Sequence, residues 1–288
     1  MPIRKFGLVA EGLRSFADVR LAEPGAITRE DLLRVHTEEY VEAIRSGEPR
    51  ALAESQKFPW SPELFKSVSL TNGGCLAAAR EALRTGVSSA LASGFHHSHS
   101  DHGEGFCTFN GLVVTIDALK ANAEVERVAI LDLDLHYGNG TAALAVNRSY
   151  MTVLSVYGND YRNNVPYRDV TIRQHQDGTN HFSVSLPAGC NGGKLNETLN
   201  EHLPRLLEQG TPDLLLYQAG ADPLQDDPYS PLALNHADLK ERDRIVFAWA
   251  RGLGIPLAWV LAGGYTRDIA KVVEVHLNTF RAALEVYR

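Results

Sequence analysis

Apolar positions along this chain fall into two alternating periods. Short, nearly continuous apolar runs at 19–21, 88–93, 128–134, 151–157, 182–186, 214–218 and 256–261 read as seven strands. Most lack a polar face, as expected for strands covered on both sides. Between them, apolar residues recur every three or four positions. Phe6, Val9 and Leu13 predict a helix over 4–16, and Leu32, Leu33, Tyr40, Val41 and Ile44 predict one from Thr28 to Gly47. Thr28 with Asp31 three residues on is a variant of the capping box. Further helices are predicted from about Pro62 to Leu83, with a break admitted at Gly73-Gly74, over 110–121, through Leu195, Leu199, Leu203 and Leu206, over 237–252 and over 266–286. The segment 48–62, with Pro49, Pro59 and Pro62, and the segment 158–180, rich in Asn and Asp with Pro166 and Gly178, read as irregular. A loop as long as the second is usually functional or mobile. Strands alternating with helices predict an α/β fold with a mainly parallel sheet and helices on both faces. No linker or repeat divides the chain, so 1–288 is read as a single domain.

Composition narrows this picture only slightly. With 288 residues, 44% hydrophobic and 22% charged, the chain can bury a large core. A net charge of −7 argues weakly against nucleic acid and would suit a cationic substrate. Cys75, Cys107 and Cys190 are scattered and show no C-x-x-C spacing, so a disulfide framework is not expected. Neither a signal-like apolar block nor a membrane-length run is present, and the expectation is a cytoplasmic protein with no membrane partner.

The chemistry gathers at strand ends. The apolar run beginning at Val128 takes on Asp132, Asp134 and His136 at every second position before breaking at Gly138-Asn139-Gly140. In an extended strand these three share one face, where buried charge demands a partner or a metal. Three other strands end in His96-His97, in Asp222 and in Gly263-Gly264-Tyr265. A parallel sheet places all these ends on one edge, where ligands bind. One imidazole and two carboxylates from Asp134, His136 and Asp222 have the composition of a catalytic zinc site with an open position. Fe²⁺, Co²⁺ or Mn²⁺ suit the same donors. Such a metal lowers the pKa of bound water, a histidine can act as base and Tyr265 can stabilise an oxyanion, which together describe amide hydrolysis. The two glycines would let Tyr265 swing in. His99 and His102 extend the pair into a histidine-rich loop; they could themselves be ligands, but are read as solvated.

These residues resemble the histone deacetylase superfamily: His96-His97 before Gly105-Phe106-Cys107, Asp132-Leu133-Asp134-Leu135-His136-Tyr137-Gly138-Asn139-Gly140, Gly220-Ala221-Asp222-Pro223 and Gly263-Gly264-Tyr265. The segment His36-Thr37-Glu38-Glu39-Tyr40 extends the likeness, which is nearest to class IV and bacterial deacetylase-like proteins. The resemblance implies the arginase–deacetylase fold with eight parallel strands, hence a sheet of seven to eight here. It implies zinc on Asp134, His136 and Asp222, and a structural potassium ion near Asp132 to His136 and Ser155. His97 would be the base, His96 its electrostatic companion and Tyr265 the carbonyl polariser. Asp132 would orient His96, and Asn139 would stand behind His97. Gly105, Phe106, Gly263 and Gly264 would belong to an acyl-lysine channel.

Several positions depart from that pattern. Asn139 stands where some members carry an aspartate, and Tyr137 replaces a second histidine. Tyr161, Val165 and Tyr167 compete for the opposite channel wall. The family's first strand would precede a segment like 4–13, so it is expected to be missing. The implied function is zinc-dependent removal of an acyl group, with N-acetyl-lysine in proteins as first substrate. Acetylpolyamine hydrolysis is the alternative within the same chemistry, and a non-catalytic acyl-lysine or metal-binding module the alternative outside it.

Overall fold

The computed structural model describes residues 3–161 and 171–288. Six strands form one sheet: β1 (Val87–Ala90), β2 (Val128–Asp132), β3 (Met151–Tyr157), β4 (His181–Ser185), β5 (Leu214–Ala219) and β6 (Leu257–Leu261). Their order is β1-β6-β5-β2-β3-β4, and every pairing is parallel. Strands β2, β3, β5 and β6 are buried at every residue, which explains their unbroken apolar character. Alternate residues of one strand feed opposite cores. Leu214 and Leu216 of β5 join one cluster, and Leu215 and Tyr217 join the other.

Strand order decides where a ligand can bind. From β2 the chain winds outward through β3 and β4. It then returns to place β5 on the other side of β2 and winds away through β6. The crossovers after β2 and β5 therefore leave in opposite directions. A crevice opens between their carboxyl ends, the usual ligand position in such sheets.

The sheet has six strands among the described residues, not seven to eight. The short strand expected at 19–21 does not form: Leu21 is 43% exposed and no sheet edge reaches it. The helix expected from Thr28 to Gly47 is two helices, Arg29–Leu33 and Glu38–Ser46. Each has its own threonine cap, with Thr28 accepting from the Asp31 amide and Thr37 from the Tyr40 amide. Helix Pro62–Thr85 runs through Gly73-Gly74 without a break. Gly73 is there for close approach, because a Cβ would lie 1.8 Å from the Gly25 carbonyl oxygen. The irregular stretch 48–62 contains a one-turn helix, Arg50–Ala53, and Gly138-Asn139-Gly140 begins a helix, Asn139–Ala145.

The break between the first two capped helices has a purpose. It turns His36 inward, where both ring nitrogens are used. Nδ1–H donates to the His99 carbonyl (2.9 Å), and Nε2 accepts from the Asn110 amide (3.0 Å). His36 thereby staples the loop that carries the adjacent histidines. Burial lowers its pKa from the usual 6.5 to about 4. The unfolded chain therefore binds a proton between those values that the folded chain refuses. His36 is expected to withdraw about 3 kcal/mol of stability as pH falls from 6.5 to 4. Denaturant titrations across that range should show a shallower pH dependence in His36→Gln; an unchanged profile would refute this.

Candidate active site

The regular strand β2 ends at Asp132, so Asp134 and His136 lie in the bend beyond it rather than on a continuing pleat. Backbone amides aim the side chains instead. Asp132 Oδ1 accepts from the Asp134 amide (3.1 Å), and Asp134 Oδ1 accepts from the His136 amide (3.0 Å). Asp134 Oδ2 accepts from the Gly263 amide (2.8 Å) and Asp222 Oδ1 from the Leu135 amide (3.0 Å). Each of Asp134 and Asp222 thus has one oxygen tied to a neighbouring strand end. Beneath them, buried Arg242 donates to the carbonyls of Leu133 (3.2 Å) and Gly220 (2.8 Å), joining the two strand ends that deliver the carboxylates. Arg242 is paired with Asp243, which also accepts from Tyr217 and Thr279.

His136 Nδ1 lies 3.3 Å from Asp134 Oδ1 and 3.2 Å from Asp222 Oδ2. A tetrahedral site with bonds of 2.0–2.1 Å has ligand–ligand edges of about 3.3 Å, so the donor set fits zinc or a similar ion. Charge agrees with geometry. Burial pulls the His136 pKa down, but its hydrogen bonds with Asp134 and Asp222 outweigh this and push it up to about 10. Two carboxylates around one imidazole thus hold a proton tightly, a position that a divalent cation can take.

His96 and His97 occupy the turn after β1, where Phe95 adopts φ +57°. Their rings lie 4.0 Å apart and have different partners. His96 Nδ1 meets Asp132 Oδ2 at 2.7 Å. Burial lowers the pKa of His96, but Asp132 and Asp134 reverse this and the net shift is upward. His97 Nδ1 meets Asn139 Oδ1 at 2.6 Å. Burial, then the neighbouring His96 and His136, take His97 well below the usual value. The charged form is thus favoured at one histidine and disfavoured at its neighbour.

The Asn139 orientation follows from a residue that sequence reasoning passed over. Glu104 Oε2 lies 2.8 Å from Asn139 Nδ2, and a carboxylate can only accept. The asparagine oxygen must therefore face His97, whose Nδ1 must carry the proton. Nε2 of His97 is left with a free lone pair.

Tyr265 follows Gly263-Gly264, and its backbone amide donates to Asp227 Oδ2 (2.6 Å). The glycines do more than free a hinge. A Cβ at Gly263 would lie 1.8 Å from Asp222 Oδ2, so the chain can approach the carboxylate only as glycine. Gly263 and Gly264 do not line the cleft; His97, Gly105, Phe106, His136, Tyr161, Tyr229 and Tyr265 do. Tyr161 stacks on His97 with ring centroids 3.7 Å apart. Among the three candidates for the opposite wall, Val165 and Tyr167 lie outside the described residues. Two further residues had no motif to announce them. Tyr229 sits 5.3 Å from Tyr265 and 5.8 Å from His136, ring to ring. Lys5, on helix Arg4–Leu13, is fully buried and donates to the Ala262 carbonyl. Burial lowers the Lys5 pKa to about 8, against the pull of Asp222, Asp134 and Asp227.

Comparison with known proteins bears on the family and the fold. Residues 4–280 match the family model described as the histone deacetylase domain. The chain is 30% identical to a histone deacetylase-like amidohydrolase of Pseudomonas aeruginosa, over 90% of this chain and 69% of that protein. It is 28% identical to histone deacetylase 2 of Arabidopsis thaliana, over 92% and 68% respectively. The fold matches the acetylpolyamine aminohydrolase of Burkholderia pseudomallei with a TM-score of 0.78 at 20% identity, over 97% of this chain and 90% of that one.

The donor set predicts stabilisation by zinc. At a free concentration a hundredfold above Kd, zinc should stabilise the native protein by about 2.7 kcal/mol in thermal or denaturant unfolding. Asp222→Asn should lose most of that gain, and an undiminished gain would count against these ligands.

Proposed function

The chain belongs to the histone deacetylase family, and from that premise we propose that it is a zinc-dependent deacylase acting on N-acetyl-lysine in proteins. The observation that carries the reading is the unequal histidine pair beside the Asp134, His136 and Asp222 donors. A binding module needs neither a neutral base nor a charged companion. A cation held by those donors would polarise the acyl carbonyl and acidify a bound water.

The remaining work belongs to the chain's own groups. His97, neutral and with Nε2 free, takes the proton of the attacking water. It then returns that proton to the departing amine nitrogen as the amide C–N bond breaks, and with the second water proton passing from the new acid to the amine the products are a carboxylate and an ammonium ion. Asp132 favours the charged form of His96, and that form would favour the negative charge that develops nearby. Burial, followed by the field of Asp222 and Asp134, raises the Tyr265 pKa well above 10. Its hydroxyl therefore keeps its proton and can donate to the oxyanion. Phe106, Tyr161 and Tyr229 would border the alkyl stem of the substrate.

A small acetylated polyamine is the second reading. Its support is the net charge of −7 and the tyrosine faces along the cleft, which attract cationic amines. Acyl groups longer than acetyl fall under the same chemistry. A structural potassium ion belongs to the proposal as well, supported by Ser155 Oγ, which is buried without a hydrogen-bond partner among the described residues. So does a cytoplasmic setting, supported by three cysteines that stay unpaired.

Zinc-loaded protein should hydrolyse a fluorogenic acetyl-lysine peptide. A panel with acetylspermidine and a long-acyl peptide would rank the substrates. His97→Ala should lower kcat by about 10²–10⁴ and Tyr265→Phe by about 10²–10³. Asn139→Ala should lose about 10–100-fold, by analogy with other orienting partners, with KM unchanged and partial rescue by Asn139→Asp. Wild-type rates in His97→Ala or Tyr265→Phe would defeat the mechanism.

A further inference from the structure

The loop between His97 and Phe106 carries His99, His102 and Glu104, two of which the deacylase reading leaves unused. Their side chains are partly exposed, at 22%, 39% and 37%. Both imidazoles turn Nε2 toward one carboxylate. His99 Nε2 lies 3.8 Å from Glu104 Oε2, and His102 Nε2 lies 3.9 Å from Glu104 Oε1. The two rings are nearly parallel, 4.6 Å apart at 7°. Backbone contacts hold this arrangement. The His99 amide donates to the His102 carbonyl (3.0 Å), His36 holds the His99 carbonyl (2.9 Å), and Ser55 Oγ accepts from the Gly103 amide (3.0 Å).

Tautomer chemistry gives independent support. His102 Nδ1 lies 2.7 Å from Asp101 Oδ1, and the carboxylate can only accept. The proton of neutral His102 is therefore on Nδ1, and Nε2 is a lone pair. His99 Nε2 lies 3.2 Å from Asn139 Nδ2, which can only donate, so that nitrogen is also a lone pair. A ligating histidine with its other ring nitrogen bonded to a carboxylate is the usual outer support of a metal site.

We propose that His99, His102 and Glu104 form a second divalent-cation site behind Asn139, on the side away from the cleft. Two imidazoles and one carboxylate select a borderline ion such as Zn²⁺ or Ni²⁺ over Mg²⁺ or Ca²⁺. The donor gaps of 3.8 and 3.9 Å exceed the tetrahedral edge of about 3.3 Å, so the side chains must close by about half an ångström. Partly exposed side chains can do so, and the site is accordingly weaker than the buried one.

Occupancy reaches the base through Asn139, a step that rests on the deacylase reading. Asn139 Nδ2 now donates to His99 Nε2 and Glu104 Oε2, and those atoms would become ligands. A cation there removes the contacts that keep the Asn139 oxygen facing His97. The outer site is therefore inhibitory.

Calorimetric titration of metal-free protein with Zn²⁺ tests the site without any assay of activity. Wild type should bind two equivalents, with the weaker absent in His99→Ala and in His102→Ala and the stronger absent in Asp222→Ala. A single equivalent in wild type, or a second one that survives in both histidine variants, overturns the site. In activity assays, filling the weaker site should lower kcat several-fold with KM unchanged, and His102→Ala should abolish that loss. A filled second site with unchanged kcat overturns the coupling through Asn139.

Discussion

Three carboxylates buried at one point of the sheet set the terms for everything around them. Asp132, Asp134 and Asp222 are 1%, 2% and 0% exposed, and no apolar core accepts such a concentration of charge without compensation. The compensation comes from every side. Amides of Asp134, His136, Leu135 and Gly263 donate to the oxygens, and His96 and His136 supply positive charge. Arg242 holds the two strand ends from beneath. The cluster can exist only where β2 and β5 lie side by side with their crossovers leaving in opposite directions, because only there do backbone amides from several strand ends point into one space.

That constraint explains features that look unrelated along the chain. Gly263 is glycine because its backbone rests on Asp222. Lys5 is buried at a cost to its charge: desolvation lowers its pKa to about 8, and Asp222, Asp134 and Asp227 offset only part of that penalty. Helix Arg4–Leu13 thus contributes charge to the centre as well as apolar surface to the core.

The two histidines show how small a difference separates two roles. His96 and His97 are neighbours, equally buried, and emerge from one turn. A carboxylate behind His96 lifts its pKa, whereas His97, backed only by an amide, is left to burial and its charged neighbours, which lower it. An asparagine in place of an aspartate reads in the sequence as a weaker support for the base. In the fold, Asn139 is itself braced by Glu104, so orientation is supplied at one remove while the base stays neutral.

The linear pattern was enough for the alternation of strands and helices, the parallel sheet and the four polar strand ends, because these depend on periodicity and on the shared direction of parallel strands. The donor set was legible for the same reason: Asp134, His136 and Asp222 sit at strand ends that a parallel sheet must bring to one edge. Other features depended on contacts between segments distant in the chain. The strand expected at 19–21 has suitable residues but no edge to pair with. The helix from Thr28 is cut because Thr37 offers a second cap and His36 is needed inside. Nothing local marks Lys5, Tyr229, Glu104 or Arg242 as neighbours of the site. A lysine on an amphipathic helix or a glutamate in a polar loop acquires its role only from what the fold places opposite it. Sequence determined which chemistry this protein can carry; tertiary structure decided which oxygen faces which nitrogen, because hydrogen-bond direction is a property of two partners and never of one.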